Sequence, residues 1–320
     1  FFIVFWLRGR SQRHRDGLET EVGMRVLITG AAGMIGRKLT ARLVADGKVA
    51  GRPISALDLH DIVPADAPKF GGAEVKVHTG DLADTGDVTR LVAPKPDVVF
   101  HLAGVVSGEA EANFEKGYRV NLDGTRMLFD ARRRAGNAPR VVFTSSIAVF
   151  GAPFPEVIPD EFHLTPMTSY GTEKMMGEAL LADYTRRGFF DGIGIRLPTI
   201  CVRPGKPNKA ASGFFSNILR EPLSGQEAVL PVGEDVRHWH ASPRAAVGFL
   251  IHAATLDTAK LGPRRNLNMP GLSATVGEQL EALKRFAGER AMKLIRREPD
   301  PTIAKIVAGW PRNFDPQRAI

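Results

Sequence analysis

Short apolar runs alternate with stretches of helical periodicity along the first two hundred residues of the chain. Apolar runs bounded by turn residues predict buried strands, and apolar residues spaced three to four apart predict helices. Helices are predicted after Gly36 and at about 84–92, 109–135 and 168–187. The predicted strands lie at 25–29, 53–58, 74–79, 97–102, 140–144 and 192–197. Strands alternating with helices predict an α/β fold with a doubly wound parallel sheet, whose ligands bind at the carboxyl ends of the strands.

The pattern loosens after Arg203, where six prolines between 204 and 263 break the chain into short pieces. We therefore predict a sheet domain at 24–202, joined by returning segments near 232–256, and a smaller C-terminal lobe over 203–320. Residues 1–23 differ in composition, because an apolar start at 1–7 is followed by a basic segment at 8–15. A bilayer span takes about 20 apolar residues, so this start is too short to cross one. We expect a disordered extension or a start set too early, with a short membrane-surface anchor as the alternative.

Composition narrows the class of protein. Of 320 residues, 43% are hydrophobic and 24% charged, which is typical of a soluble globular protein with a real core. The net charge is +8, but the basic residues are dispersed and the tight run at 132–134 ends a predicted helix, so nucleic acid binding is not expected. The single cysteine, Cys201, excludes an intrachain disulfide framework and is typical of a cytoplasmic protein with a buried, inert thiol.

A glycine turn follows the first predicted strand and precedes the first helix. Gly30, Gly33 and Gly36 permit a tight turn, and Met34 and Ile35 place free N–H groups at the helix start. Such a helix start attracts phosphate groups, so the turn predicts a dinucleotide site in a Rossmann-type domain.

Two acidic residues follow predicted strands near this turn. Asp58 is expected to bond both ribose hydroxyls and to repel a 2′-phosphate, which favours NAD over NADP despite the nearby Arg37 and Arg52. Asp81 is expected either to contact the adenine amino group or to cap the next helix.

A second motif predicts proton and hydride chemistry. Tyr170 and Lys174 are one helical turn apart on one face, and a fixed positive charge makes a phenol easier to ionise. Together with the glycine turn and with Ser145 and Ser146 between them, this pair predicts oxidation of an alcohol or reduction of a ketone.

Several segments in a fixed order resemble those of the extended short-chain dehydrogenases/reductases, which include nucleotide-sugar epimerases and dehydratases. The matching segments are 29–36, 80–82, 101–104, 120–125, 144–146, 170–174 and 196–198. The resemblance implies that Ser146, Tyr170 and Lys174 are catalytic and that Lys174 bonds the nicotinamide ribose. It also implies that Asn121 orients the active-site helix or a water, although a buried amide capping backbone groups is the alternative. The other residues it assigns to the cofactor are Leu82, Leu102, Ala103, Gly104, Thr144, Pro198 and Ile200.

Within this family, the segments at 196–208 and 237–242 resemble those of the D-erythronate dehydrogenases, which act on sugar acids. The usual epimerase segment is altered after Arg237, which argues against a nucleotide-sugar pocket. A sugar acid needs a cationic partner, for which Arg203 and Arg237 are the candidates. Ser107, Ser145, Ser146 and Ser212 are candidates for its hydroxyls. His238 and His240 share a strand face, but nothing nearby completes a metal site and none is expected.

We therefore predict an NAD-dependent dehydrogenase that oxidises the 2-hydroxyl of a short sugar acid. One alternative is a nucleotide-sugar epimerase or dehydratase with tightly bound NAD. Another is a non-catalytic NAD sensor, which would not need Ser146, Tyr170 and Lys174. The apolar helices at about 109–135 and 168–187, together with the resemblance, predict a homodimer paired through a four-helix bundle.

Overall fold

The computed structural model describes residues 23–205 and 211–320, so the predicted extension lies outside the described residues except for Gly23. The strands are β1 (Met24–Thr29), β2 (Lys48–Val49), β3 (Arg52–Asp61), β4 (Glu74–Thr79), β5 (Val98–His101), β6 (Arg140–Ser146), β7 (Ile158–Pro159), β8 (Asp191–Leu197), β9 (Thr199–Ile200), β10 (Ala228–Leu230), β11 (Arg237–Ala241), β12 (Asn266–Asn268), β13 (Leu272–Thr275), β14 (Ile295–Arg297) and β15 (Phe314–Asp315). The helices are α1 (Met34–Asp46), α2 (Thr85–Val92), α3 (Ser107–Ala112), α4 (Phe114–Gly117), α5 (Gly124–Ala135), α6 (Ser169–Arg186), α7 (Phe214–Leu223), α8 (Pro243–Thr255), α9 (Val276–Met292) and α10 (Pro301–Ala308).

The central feature is an eight-stranded sheet in the order β12-β8-β6-β5-β1-β3-β2, with β4 paired to β3. The pairings are parallel except that of β2 with β3. This topology confirms the predicted α/β fold of the Rossmann type.

Among the described residues, no helix has both the length and the apolar character needed to cross a membrane.

Both faces of the sheet are covered, because successive strand residues point to opposite sides. Val26 and Ile28 pack toward α1 and α8, whereas Leu27 between them packs toward α2, α5 and α6. The two apolar layers hold the strands rigidly, so their carboxyl ends form a fixed edge for a site.

The chain beyond residue 203 contributes to both parts of the molecule. α8 covers one face of the main sheet through Ala246 and Leu250, and β12 extends the same sheet beside β8. The rest of the C-terminal part has its own core, in which Phe215 of α7 packs near Leu280 of α9. The division at 202 stays a prediction, since β12 lies beyond the returning segments expected at 232–256.

The single long helix expected at 109–135 is wrong, since this stretch forms α3, α4, a π-helical turn at Tyr118–Asp123 and α5. Asn113 follows the last residue of α3, and its side chain caps α4 by accepting a hydrogen bond from the Lys116 N–H. Gly117 lies so close to α6 that a Cβ there would come within 2.5 Å of the Glu173 carboxylate. The breaks allow this stretch to approach α6, and π turns often mark functional sites.

Candidate functional site

A cavity of about 680 Å³ lies at the carboxyl ends of the central strands, where the sheet meets the C-terminal part of the chain. The glycine turn and the ends of β5 and β6 form one wall, and residues from 197–220 form much of the other. The predicted site residues that line it are Gly30, Gly33, Met34, Ile35, Gly36, Leu102, Gly104, Ser107, Thr144, Ser145, Ser146, Tyr170, Lys174, Pro198, Ile200, Arg203 and Ser212. Those outside its lining are Asp58, Asp81, Leu82, Ala103, Asn121 and Arg237.

The glycine turn has the shape of a phosphate cradle. Gly30 has a φ of +75° and a Cβ there would lie 2.6 Å from the backbone nitrogen of Ala103, so only glycine fits. A Cβ on Gly36 would collide with the carbonyl oxygen of Gly30. α1 then begins at Met34, and Gly33 before it has no side chain to cap the helix, so the first N–H groups of α1 remain available to an anion. These residues fit the pyrophosphate of a dinucleotide.

The acid predicted to bind the ribose is misplaced, because Asp58 does not end its strand. β3 continues to Asp61, and Asp58 lies opposite Leu27 in the middle of β1. The Asp58 carboxylate is 1% exposed and accepts hydrogen bonds from Arg25 at 2.8 Å and His78 at 2.9 Å. Its oxygens are therefore committed inside the sheet and do not reach the cavity.

Asp61 occupies the position that the sequence argument gives to Asp58. It is the last residue of β3, and its Oδ2 accepts a hydrogen bond from the N–H of Ala32 in the glycine turn at 2.9 Å. Its Oδ1 accepts from the N–H of Ile62 at 2.7 Å. Two acids close together in one apolar strand left the end of that strand ambiguous in the sequence.

Asp81 stabilises the loop after β4. Its Oδ1 accepts from the N–H of Ala83 at 2.8 Å, and its Oδ2 pairs with Arg119. The helix-cap alternative is wrong, because Asp84 caps α2. A contact with adenine stays a prediction, and Leu82 beside it is buried in the core layer that contains α2 and α5.

The three predicted catalytic side chains meet at one end of the cavity. Thr168 caps α6, which places Tyr170 in the first turn of the helix and Lys174 in the second. The Lys174 Nζ donates to the carbonyl oxygen of Thr144 at 2.9 Å and lies 5.8 Å from the centre of the Tyr170 ring. Ser146 ends β6 and hydrogen-bonds the Tyr170 side chain.

Burial shifts the ionisation of both groups on α6. It raises the pKa of Tyr170 above 10, while the hydrogen bond with Ser146 and the positive charge of Arg203 act in the opposite direction. It lowers the pKa of Lys174 to about 8, against the attraction of Glu173 and other carboxylates. The positive charge of Arg203 therefore also favours the Tyr170 phenolate, a contribution that the sequence argument did not include. The same effect assigned to Lys174 stays a prediction.

The hydroxyl groups of Ser145 and Ser146 have different hydrogen-bond partners. The Ser145 hydroxyl donates to Glu178 at 2.6 Å, and Arg196 holds the same carboxylate through two hydrogen bonds of 2.9 and 2.8 Å. Asn268 of β12 continues this buried network from Arg196. Because the Ser145 hydroxyl is committed to Glu178, Ser146 is the better candidate of the two for a substrate oxygen, and this role stays a prediction.

Asn121 is a buried amide in the π turn. Its Oδ1 accepts from the N–H of Val105 at 2.8 Å, and its Nδ2 donates to the carbonyl of Val105 and to Glu173 at 2.7 Å. The amide therefore caps backbone groups and also links the π turn to α6. A role on a water stays a prediction.

The two candidate arginines for a carboxylate lie in different places. Arg203 lines the cavity and donates to the Ile200 carbonyl at 3.2 Å and to the Ser212 hydroxyl at 3.0 Å. Arg237 instead donates to the carbonyl of Ser273 at 3.1 Å and pairs with Glu278 at 3.4 Å. The assignment of Arg237 to the substrate is therefore wrong, because its side chain leaves β11 on the face away from the cavity.

Several polar, charged or aromatic residues that line the cavity were not among the site residues predicted from the sequence. Asn217 and Arg220 project from one face of α7, and their three-residue spacing could have indicated this. Glu111 lines the cavity from α3, and Trp310 lines it from the segment after α10. Sequence alone offers no signal that brings 111 and 310 together, since the tertiary fold does so.

His238 and His240 lie on one face of β11, as predicted, with ring centres 5.2 Å apart. Burial lowers the pKa of His238 to about 3 and that of His240 to about 4, so both are neutral. Within residues 23–205 and 211–320, no group of three or more His, Cys, Asp or Glu side chains could hold a metal ion.

Cys201 donates to the carbonyl of Phe215 at 3.2 Å, and burial raises the pKa of its thiol.

Known proteins are similar to this chain over most of its length. The NAD dependent epimerase/dehydratase family model matches residues 26–261. D-erythronate dehydrogenases from Cupriavidus necator and Haemophilus influenzae are 47% and 42% identical, over 93% of this chain and 92% and 93% of their own. The crystal structure of a nucleoside-diphosphate-sugar epimerase from Agrobacterium tumefaciens is 65% identical, with a TM-score of 0.91, covering 93% of this chain and 88% of that one.

A glycine cradle and a Ser–Tyr–Lys cluster at one edge of a parallel sheet define a nicotinamide-dependent oxidoreductase that acts on a CH–OH group. The chain belongs to the NAD-dependent epimerase/dehydratase family.

Proposed function

We propose that the protein is an NAD-dependent dehydrogenase that oxidises the 2-hydroxyl of a short sugar acid, D-erythronate first of all, to the 2-oxo acid. The observation that carries this proposal is Arg203. Its guanidinium is partly buried beside Tyr170, and within the described ranges no carboxylate forms an ion pair with it. A buried cation is costly without a partner, so this position suits a substrate carboxylate. The names of the 47% and 42% identical relatives support the same substrate.

The proposed chemistry uses the cluster around Tyr170. With the carboxylate at Arg203, Tyr170 in its phenolate form takes the proton of the 2-hydroxyl. The hydride on C2 leaves with its electron pair, and the bound cofactor supplies the acceptor for it. Ser146 donates a hydrogen bond to the oxygen that becomes the ketone, and Lys174 holds positive charge next to the phenolate.

NAD is the proposed cofactor because of Asp61, which takes over the role that the sequence argument gave to Asp58. A carboxylate at the end of β3 accepts both ribose hydroxyls and repels a 2′-phosphate. Arg37 lies near the same turn but pairs with Asp66 at 3.3 Å.

We expect Asp61→Ala to lower kcat/KM for NAD by about 10- to 150-fold, the scale for hydrogen bonds to a charged group, and to raise it for NADP. Steady-state kinetics with both cofactors measure this change. Asp58→Asn is the matched control, for which we expect a lower melting temperature and an unchanged cofactor preference, because Asp58 pairs with Arg25 and His78 inside the sheet. If the preference for NAD over NADP changed only in Asp58→Asn, Asp58 and not Asp61 would be the residue that selects NAD.

The alternative function is nucleotide-sugar epimerisation, the activity in the name of the 65% identical crystal structure, but the two D-erythronate dehydrogenase relatives do not favour it. An epimerase returns the hydride to the same substrate and keeps its cofactor bound, whereas a dehydrogenase releases free NADH. The deciding experiment mixes the protein with NAD or NADP and either D-erythronate or UDP-sugars, and follows NADH absorbance together with sugar epimers. NADH formed in proportion to D-erythronate supports the proposal, and epimer formation without reaction of any sugar acid refutes it.

We also propose that the protein is cytoplasmic and forms a homodimer through the segments at about 109–135 and 168–187. Partly buried apolar residues that belong to none of the core clusters support the pairing, with Val120 on one segment and Met176 on α6. Helices that are apolar on a second face need a second partner. A monomeric mass by light scattering at micromolar concentration would refute the dimer.

A further inference from the structure

The wall of the cavity that includes α3 carries a carboxylate that the proposed chemistry does not use. Glu111 lines the same cavity as Arg203, Tyr170 and Ser107. Its Oε2 accepts a hydrogen bond from the N–H of Ser169 at 3.0 Å, one residue before Tyr170. The cavity therefore presents a cation and an anion, both close to the residue that takes the proton.

The surroundings of Glu111 orient its carboxylate. Ser169 is the first residue of α6, and the partial positive charge of a helix N-terminus favours a carboxylate there. Glu109 on the same helix is paired with Lys116, whereas in the described part of the chain Glu111 forms no ion pair. Its second oxygen remains available to a bound molecule.

We propose that Glu111 accepts hydrogen bonds from the distal hydroxyls of the substrate and so restricts the enzyme to monocarboxylic polyhydroxy acids. This inference rests on the proposed function. With its carboxylate at Arg203 and its 2-hydroxyl at Tyr170, a linear four-carbon acid would place its C3 and C4 hydroxyls inside the same cavity, which Glu111 also lines. A carboxylate accepts hydroxyl donors well, but it repels a second carboxylate in the same position.

Three four-carbon substrates separate these effects. D-erythronate carries hydroxyls on C3 and C4, (R)-2-hydroxybutyrate lacks both, and meso-tartrate is erythronate with C4 oxidised to a carboxylate. Glu111→Gln removes the charge and keeps an amide oxygen for the Ser169 N–H, so the hydrogen bond to the first residue of α6 is retained. Glu109→Gln is the matched control, because Glu109 lies on the same helix and outside the cavity lining.

In Glu111→Gln we expect the ratio of kcat/KM for D-erythronate to that for (R)-2-hydroxybutyrate to fall about tenfold. We expect the ratio of kcat/KM for meso-tartrate to that for D-erythronate to rise about tenfold, since both changes have the scale of one charge-assisted hydrogen bond. Both ratios should stay at their wild-type values in Glu109→Gln. Unchanged ratios in Glu111→Gln, with D-erythronate still oxidised by the wild type, would overturn the role of Glu111 alone. Failure of the wild type to oxidise any of the three acids would overturn the proposed function and this inference together.

Discussion

Tyr170→Phe is expected to lower kcat by about 10²- to 10⁴-fold, the range that a positioned acid–base group contributes, while NAD binding changes by no more than a few-fold. The phenol oxygen is the atom that takes the substrate proton, and phenylalanine keeps the ring that packs near Lys174. The phosphates are held by the glycine turn, which the substitution does not touch. Single-turnover kinetics and cofactor titration measure the two effects separately.

The chain supplies a matched control on the same helix. Tyr184 of α6 donates its hydroxyl to Asp130 at 2.9 Å and lies outside the cavity lining, so Tyr184→Phe should leave kcat within a few-fold of the wild type. If Tyr170→Phe lost turnover and NAD binding together, its role would be structural. Equal losses in both variants would point to the stability of α6 instead of proton transfer.

Arg203→Ala is expected to lower kcat/KM for D-erythronate by about 30- to 5,000-fold, corresponding to the roughly 2–5 kcal/mol lost when one partner of a desolvated charge pair is removed. The loss should be much smaller for a neutral alcohol of the same length, because that molecule has no carboxylate to place. Competition kinetics with the acid and the neutral alcohol, each with NAD, measure the difference.

Arg237→Ala serves as the control for Arg203→Ala. Arg237 bonds Ser273 and Glu278 outside the cavity lining, so its removal should affect both substrates equally and weakly. The assignment of the carboxylate to Arg203 would fail if Arg203→Ala reduced activity toward the acid and the neutral alcohol by the same factor. Arg220, which donates to the Arg203 carbonyl at 2.7 Å, would then be the next residue to substitute.

The parts of the site that the sequence predicts well are those encoded within a few neighbouring residues. The glycine turn is set by backbone sterics at Gly30 and Gly36, and the pairing of Tyr170 with Lys174 follows from the pitch of one helix. These features need no knowledge of distant chain segments. The alternation of strands and helices is equally local, which is why the fold class could be predicted.

The errors arise where tertiary contacts choose between similar local options. Asp58 and Asp61 lie three residues apart in the same predicted strand region, and only the pairing of β3 with β1 and β4 fixes which acid ends the strand. Arg237 lies next to a cavity residue, His238, but adjacent side chains on β11 point to opposite faces. The long helix was predicted as continuous because nothing local reveals how closely Gly117 approaches Glu173.

The position of β12 has a consequence for the order in which the chain can acquire its fold. Synthesis proceeds from the N-terminus, so every residue through β9 leaves the ribosome while β8 still has an unpaired edge. The face that α8 will cover through Ala246 and Leu250 is bare during the same period. Unpaired edges and bare apolar faces promote aggregation, so the nascent chain passes through a vulnerable interval that ends only once β12 has emerged. A fragment truncated at residue 202 would remain in that state permanently and would serve poorly as a free-standing cofactor-binding unit.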